Sequence, residues 1–509
     1  MMSEVVRDRA TCLPPFGRLG AALTLAALAV VTPTGQAAAD AGSAVSFAET
    51  AALRDAVTID GVVRHLTALQ AIADAHGGTR TAGTGGDAAS VDYVAQRLRE
   101  AGYTVWFETF TLPMFEELRP PRLTVLGSAG DDGVQGDVAV RTMTFSGAGT
   151  VEGPVWPVGS RARNADADAD RGCRPADFRG MPQGAVALAR RGGCWLDRKV
   201  SHAVDAGAAA ILVYDRDDDD GTGTASRGEL DEPARIPAVT LTHSTGRRLA
   251  QAARRGEVRV RLSVEARIEH RPTRNLLAER PVGDPERVVL VGAHLDSVPE
   301  GPGINDNASG AGAILEIARQ LAELGLKTRN RLRFAFWAAE ENGLLGSHEY
   351  AASLPPDKLE RIAAVLNFDS LASPNYARFV YDGDGSISDE AGPPGSARIE
   401  RIFRDYFADA GLTVAEIDLE DGSDHLSFVE YGLPVGGLAA GDGELKSQEE
   451  AALFGGTAEA PYDPCYHAAC DTLASINRTA LDELSDAAAH AVLALGAEPW
   501  PRRAPLERD

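Results

Sequence analysis

Apolar residues recur at helical spacing in two stretches near the start of the chain, VVRHLTALQAIADA from Val62 and SVDYVAQRLREAGY from Ser90. HGGTRTAGTGG separates them as a loop, and TVWFETFTL from Thr104 alternates as a strand does. From residue 120 to residue 269 the pattern changes to short β-like runs in a Gly- and Asp-rich background. Two loops in that region, NADADADRG and DRDDDDGTGTASRGELDE, read as solvated surface. A strand pair resumes at TRNLLAERPVGDPERVVLVGAHLDSV. Beyond it, RVVLVGAHL, LRFAFWAA, AAVLNFD, ARFVYDG and LPVGGLAAG predict strands, while SGAGAILEIARQLAEL, ARIERIFRDYFADAG and LDELSDAAAHAVLALG predict helices. This alternation predicts an α/β fold, a mostly parallel sheet sandwiched by helices. Function in such sheets gathers at the carboxyl ends of the strands.

Metal-competent side chains recur where those strands stop. VGAHLDSV ends one strand with His294 and Asp296, and GINDNASG puts Asp306 just before a helix. FWAAEE supplies Glu340 and Glu341, LNFDS supplies Asp369, and CYHAAC supplies His467. Each has a plain structural reading. Asp306 would cap a helix, the paired glutamates would be a solvated turn, and His467 a surface histidine. Their shared position on one sheet edge argues against coincidence. Imidazole and carboxylate without thiolate suit zinc, in a catalytic site more than a structural one.

Composition narrows the setting. The chain has 509 residues, 44% hydrophobic and 24% charged, which suits a soluble protein of two to four domains. A formal net charge of −24 disfavours nucleic acid and anionic membranes as partners. Arg7, Arg9 and Arg18 precede an apolar run at residues 19–31, and AAAD offers an A-x-A cleavage site after Ala39. That run is shorter than the roughly 20 residues a spanning helix needs. Residues 1–39 therefore read as a secretory signal, and the mature protein as extracellular, without a membrane segment. Cys12 would leave with the signal. Four cysteines remain, Cys173, Cys194, Cys465 and Cys470, enough for two disulfides in any of three connectivities. The local pairing, Cys173 with Cys194 and Cys465 with Cys470, is favoured because the pairs fall in separate regions. NRT at Asn477 and NAS at Asn307 match the glycosylation pattern without further support.

The stretches VGAHLDSVPEGPGINDNASGAGAILEIA, LRFAFWAAEENGLLGSHEY, LNFDS, SDHLSF, PVGGL and CYHAACDTLASIN together resemble the secreted two-zinc aminopeptidases of the bacterial leucyl and fungal vacuolar type. GAVALARRGGCWLDRKVSHAVDAGAAAILVYDRD and IPAVTLTHSTGRRL resemble a protease-associated (PA) domain. The resemblance implies a zinc exopeptidase split into residues 40–119 and 270–498, an inserted β-rich PA domain at 120–269, and a tail at 499–509. It implies that His294 and Asp369 hold one zinc, Glu341 and His467 the other, and that Asp306 bridges them. Glu340 would be the general base, Asp296 would orient His294, and Tyr466 would donate to the oxyanion. The substrate would be the N-terminus of a peptide or protein, and the enzyme a monomer. A calcium site found in some relatives would use Asp482 and Asp486, but its N-terminal partner is not evident. Ser370 and Ala439 stand where close relatives carry bulky apolar residues, and Gly422 where an arginine is common. These departures predict a wider, less apolar side-chain pocket.

Three other readings compete. A two-zinc carboxypeptidase or deacylase of the related lid-bearing family would need a lid between Asp369 and His467, where strands and a helix of the same sheet fall instead. A glutaminyl cyclase uses one zinc and would not need the full ligand set. A non-catalytic binding protein of the same architecture would be expected to lose ligands.

Overall fold

The computed structural model describes residues 45–500 apart from 128–134, 160–170, 217–223 and the single positions 231, 257, 389 and 421. The expected signal at 1–39, most of the expected tail, and much of both Asp-rich loops lie outside the described residues. Three helices open the described chain, α1 (Ala51–Ala56), α2 (Ile59–Ala75) and α3 (Gly85–Glu100). Thr58 and Thr84 cap the second and third, each hydroxyl accepting a first-turn backbone N–H. Strand β1 (Thr104–Gly127) leads into β2 (Gly136–Val138), β3 (Arg141–Thr142), β4 (Gly149–Pro157), β5 (Val186–Arg190), α4 (Leu196–Asp205), β6 (Ala210–Tyr214), β7 (Ala238–Leu241) and α5 (His243–Arg255). Strand β8 (Arg259–Glu279) returns, followed by β9 (Asp284–His294), α6 (Gly310–Glu323), β10 (Asn330–Trp337), α7 (Leu345–Ser353), α8 (Pro356–Leu359) and β11 (Ile362–Asp369). The chain closes with β12 (Phe379–Tyr381), α9 (Ser396–Ala410), β13 (Ala415–Ile417), α10 (Leu426–Val429), β14 (Val435–Ala439), α11 (Gln448–Phe454) and α12 (Arg478–Ala497).

The strands run in the order β13-β12-β14-β11-β9-β10-β8, with β1 also paired to β8. The centre is parallel, β14 with β11, β11 with β9 and β9 with β10, and β8 adds antiparallel to β10. Parallel strands covered on both faces should be apolar throughout, and β11 is buried along almost its whole length. Its side chains split by alternate positions, as the pleat requires. Ala364, Leu366 and Phe368 join the core under α2, α6, α9 and α12, while Val365 joins the opposite core with Trp337, Tyr350 and Phe428. The same alternation divides Phe334 and Phe336 from Ala335 and Trp337 in β10. The expected sheet between helices is therefore what forms. Gly310 lets α6 start hard against β11, because a Cβ there would collide with the Phe368 carbonyl.

A second parallel run, β4-β5-β6-β7, carries α4 and α5 and has two apolar cores of its own. It hangs from a long antiparallel ribbon of β1 and β8, which pair from Thr104 opposite Glu279 to Gly127 opposite Arg259. The ribbon continues past residues 119–120 and 269–270, with register shifts between Glu117 and Arg122. Both disulfides take the favoured local pairing, Cys173–Cys194 and Cys465–Cys470. Asn307 is fully buried, and the Asn477 side chain caps α12.

Candidate metal centre

Register brings the strand ends level. Trp337 lies opposite His294, Ala439 lies opposite Asp369, and Asn367 lies opposite Gly292, so His294 and Asp369 finish β9 and β11 in one row. Asp306 reaches that row from the turn before α6. Asp471 holds the turn by accepting the backbone N–H groups of Asn305 at 2.7 Å and Asp306 at 3.1 Å. Asn307 ties it to the end of β11, donating to the Phe368 carbonyl at 2.8 Å and accepting the Ser370 N–H at 3.3 Å. Ala339, Ser370 and His467 all take left-handed backbone angles, with φ of 59°, 50° and 52°. Non-glycine residues keep such angles only where packing dictates them, and here each one is a site residue or adjoins one.

Two three-residue groups result, and they share one carboxylate. Asp306 Oδ1 and Asp369 Oδ1 lie 3.1 and 3.4 Å from His294 Nε2. Asp306 Oδ2 and Glu341 Oε2 each lie 3.1 Å from His467 Nε2. Glu340 Oε2 stands 3.9 Å from His294 Nε2, and Ser423 Oγ donates to the second oxygen of Asp369 at 2.6 Å. Asp296 Oδ1 is 3.7 Å from His294 Nδ1, beyond hydrogen-bond length, and accepts the Glu340 backbone N–H at 3.2 Å. It thus joins the ends of β9 and β10. Tyr466 stacks on the His467 ring with centroids 3.8 Å apart.

The charges at this site are mutually dependent. Burial pushes the Glu340 carboxyl well above its ordinary value, and Asp424, Glu341 and Asp369 add to the shift against the pull of His294. Burial and Asp306 push Glu341 up to about 7. Burial disfavours the His294 cation, but Asp369, Glu340, Asp296 and Asp306 outweigh it and hold the ring protonated well above its ordinary range. His467 is raised to about 10 in the same way by Asp306 and Glu341 against its own burial. The protein alone therefore balances its carboxylates with protons on imidazoles. A bound cation does that job better, since it leaves both rings free to act as ligands. Glu341 Oε1 is buried and has no hydrogen-bond partner, as a ligand atom awaiting an ion would be. The donor set fits zinc.

Sequence reasoning brought His294, Asp296, Asp306, Glu340, Glu341, Asp369, Tyr466 and His467 forward, and the fold gathers all of them here. It passed over Arg80, in the loop between α2 and α3. Arg80 is fully buried and donates to the carbonyls of Leu295, Pro302 at 2.9 Å and Gly303 at 2.6 Å. It clamps the segment leading from His294 to Asp306. It passed over Asp471 and Asp424 as well. Asp424 is buried, and its carboxyl is pushed up to about 7 by burial and by Asp369 and Asp296, against His294. The pattern that exposes Asp471 is its place directly after the CYHAAC loop. A cavity of about 260 Å³ opens beside the centre, with Asp306, Glu340, Asp369, Tyr466 and His467 on one wall and Ser370, Gly422 and Ala439 also lining it.

The model of peptidase family M28 matches residues 275–492, and the PA domain model matches residues 151–249. An aminopeptidase of Pseudomonas aeruginosa is 40% identical over 84% of this chain and 79% of its own length. A probable lipoprotein aminopeptidase of Mycobacterium tuberculosis is 41% identical over 87% of this chain and 85% of its own. An aminopeptidase structure from Aneurinibacillus superposes with a TM-score of 0.70 at 24% identity, covering 90% of this chain and 98% of that one, and so shares the fold. With this extent of identity to full-length relatives, the chain belongs to peptidase family M28 and is a metallo-aminopeptidase carrying a PA domain.

Proposed function

We propose that this chain is a secreted two-zinc aminopeptidase that removes the N-terminal residue of peptides. The observation that carries the reading is the pair of imidazole–carboxylate groups joined through Asp306, one oxygen to each. His294 and Asp369 would hold one zinc, Glu341 and His467 the other, with Asp306 between them. Zinc bound there would acidify a water and polarise the scissile carbonyl. Glu340 takes the water proton as general base and passes it to the leaving amine; its raised proton affinity suits that exchange. Burial, with Asp306 and other nearby carboxylates, holds the Tyr466 phenol protonated, so its hydroxyl remains a donor for the oxyanion. Asp296 fixes the Glu340 backbone and faces the His294 ring, which positions the base. Secretion follows from the leader at residues 1–39, and among the described residues no helix is long and apolar enough to cross a membrane. We read the mature enzyme as a monomer with the PA region inserted between the two parts of the peptidase. Asp482 and Asp486 join no group of three metal-competent side chains among the described residues, so no calcium role is assigned to them.

The test is metal removal. Protein stripped by a chelator should not cleave a chromogenic aminoacyl anilide, and activity should rise up to two equivalents of added zinc. An anilide with an acetylated amino group should be inert. Full activity at one equivalent would rule out the two-zinc assignment, and equal cleavage of the acetylated substrate would rule out an aminopeptidase.

A further inference from the structure

The cavity beside the metal centre is lined by more than the proposed ligands. Phe379, Tyr381, Ala439 and Tyr462 line it with buried carbon, Phe379 and Tyr462 packing edge to face at 5.5 Å. Five carboxylates outside the proposed ligand set line it too: Glu416, Asp418, Asp442, Glu444 and Glu450. Among the described residues no lysine or arginine lines it, though Lys446 lies behind the Tyr462 ring at 5.9 Å and draws on Glu450, and His467, its single histidine, belongs to the metal centre. Zinc does not cancel this charge, since Asp306, Glu340, Glu341 and Asp369 already face the ions.

Several of these acids are built into place. Glu450 Oε2 accepts the Tyr462 hydroxyl at 2.5 Å and the Ser447 N–H at 2.8 Å. Glu416 Oε2 accepts Ser386 Oγ at 2.5 Å, while Arg404 pairs with its other oxygen from outside the cavity. Asp418 and Glu444 stand exposed at the mouth. Neighbour by neighbour, the lining leads from Asp369 to Ala439 opposite it in β14, to Phe379 opposite Ala439 in β12, to Tyr462 packed on that ring and to Glu450 at its hydroxyl.

We propose that this cavity selects peptides whose N-terminal residue has a long cationic side chain, lysine or arginine. The inference rests on the aminopeptidase reading above and names its substrate class. The aliphatic stem of such a residue packs along the aromatic corridor while its charged end reaches the carboxylates at the mouth, as long basic side chains do at amphipathic surfaces. The small Ser370 and Ala439 leave room for the stem to pass. A neutral side chain of equal length gains the corridor alone, and an acidic one meets repulsion.

Lysyl and norleucyl anilides test this, because norleucine has lysine's stem without its charge. The zinc-loaded enzyme should show kcat/KM for lysyl anilide on the order of tenfold above norleucyl anilide. That ratio should shrink as salt is raised, since the α-amino group is common to both substrates. Calorimetry, which needs no turnover, should find lysinamide bound more tightly than norleucinamide. The double variant Asp418→Asn, Glu444→Gln changes two exposed side chains, and in it the lysyl-to-norleucyl ratio should fall several-fold. Equal wild-type values for the two anilides, with norleucyl anilide cleaved, would overturn the pocket inference and leave the aminopeptidase reading intact. A parallel loss on both substrates in the variant would also overturn it, by assigning the acids to the α-ammonium group. Failure to cleave either anilide would remove the aminopeptidase reading and this inference with it.

Discussion

Glu340 and Glu341 leave the end of β10 toward different partners, Glu341 toward His467 and Glu340 toward His294 and the cavity. Their glutamine variants should therefore fail in different ways. Glu340→Gln keeps size and hydrogen bonding but accepts no proton. Its kcat should fall by about 10²–10⁴-fold with KM little changed and both zinc ions retained. Glu341→Gln offers a weak neutral ligand, so zinc content should drop and excess zinc should restore part of the activity. Metal analysis and steady-state kinetics of both proteins check the division, and loss of a metal from Glu340→Gln alone would reverse it. At this scale the sequence was legible where a side chain itself carries chemistry. His294 and Asp369 announce themselves by residue type at strand ends, and Asp306 and His467 by residue type in short loops. Arg80 and Asp471 do not, because they act on backbone carbonyls and N–H groups of distant segments. Nothing in a one-dimensional pattern marks which loop a buried arginine will meet.

The loop closed by Cys465–Cys470 encloses both Tyr466 and His467, and His467 holds a left-handed backbone there. A ring this small removes little unfolded-chain entropy, roughly 2 kcal/mol on the loop-closure relation. Its larger effect falls on the imidazole, which is half-exposed and sits in the loop that the bridge closes. Replacing both cysteines by serine should lower zinc affinity and turnover while the melting temperature moves by no more than about 5 °C. The same exchange at Cys173 and Cys194 should leave zinc affinity unchanged, because that bridge lies in the inserted region. Calorimetric melting and zinc titration of the two variants measure this; a large loss of stability with unaltered zinc binding at the Cys465–Cys470 loop would contradict it. The central strands were readable from their apolar runs, but the ribbon was not. Strand β1 contains Pro113, Pro120 and Pro121, and proline is ordinarily kept out of paired strands. The fold admits them because β1 pairs with β8 on one side and is an open edge over most of its other side, where a missing N–H costs no ladder bond. Register shifts between Glu117 and Arg122 absorb the proline pair.

On the scale of the molecule, the ribbon joins the peptidase part to the inserted part, and among the described residues their cores are separate. The two clusters on either face of the peptidase sheet draw on none of the described residues of 117–266, whereas the inserted region packs around its own two clusters. Every residue lining the cavity at the metal centre lies between 306 and 467. The chemistry should therefore survive without the insert. Glu116 lies opposite Arg267 in the ribbon, and their side chains pair at 2.6 Å. Joining these two residues through Asn-Gly would close a two-residue hairpin of the type antiparallel strands favour and delete residues 117–266. The shortened protein should fold cooperatively, bind zinc, and cleave a small aminoacyl anilide with kcat/KM within about threefold of the full chain. Its action on longer peptides and on folded protein N-termini should change more, because the insert is then free to act only by governing which chains approach the cleft. Melting curves and zinc content establish first that the shortened protein is intact. If it is folded and zinc-loaded yet inert toward the anilide, the inserted region takes part in the reaction itself, and the separation of scaffold from chemistry drawn from the two sets of cores is wrong.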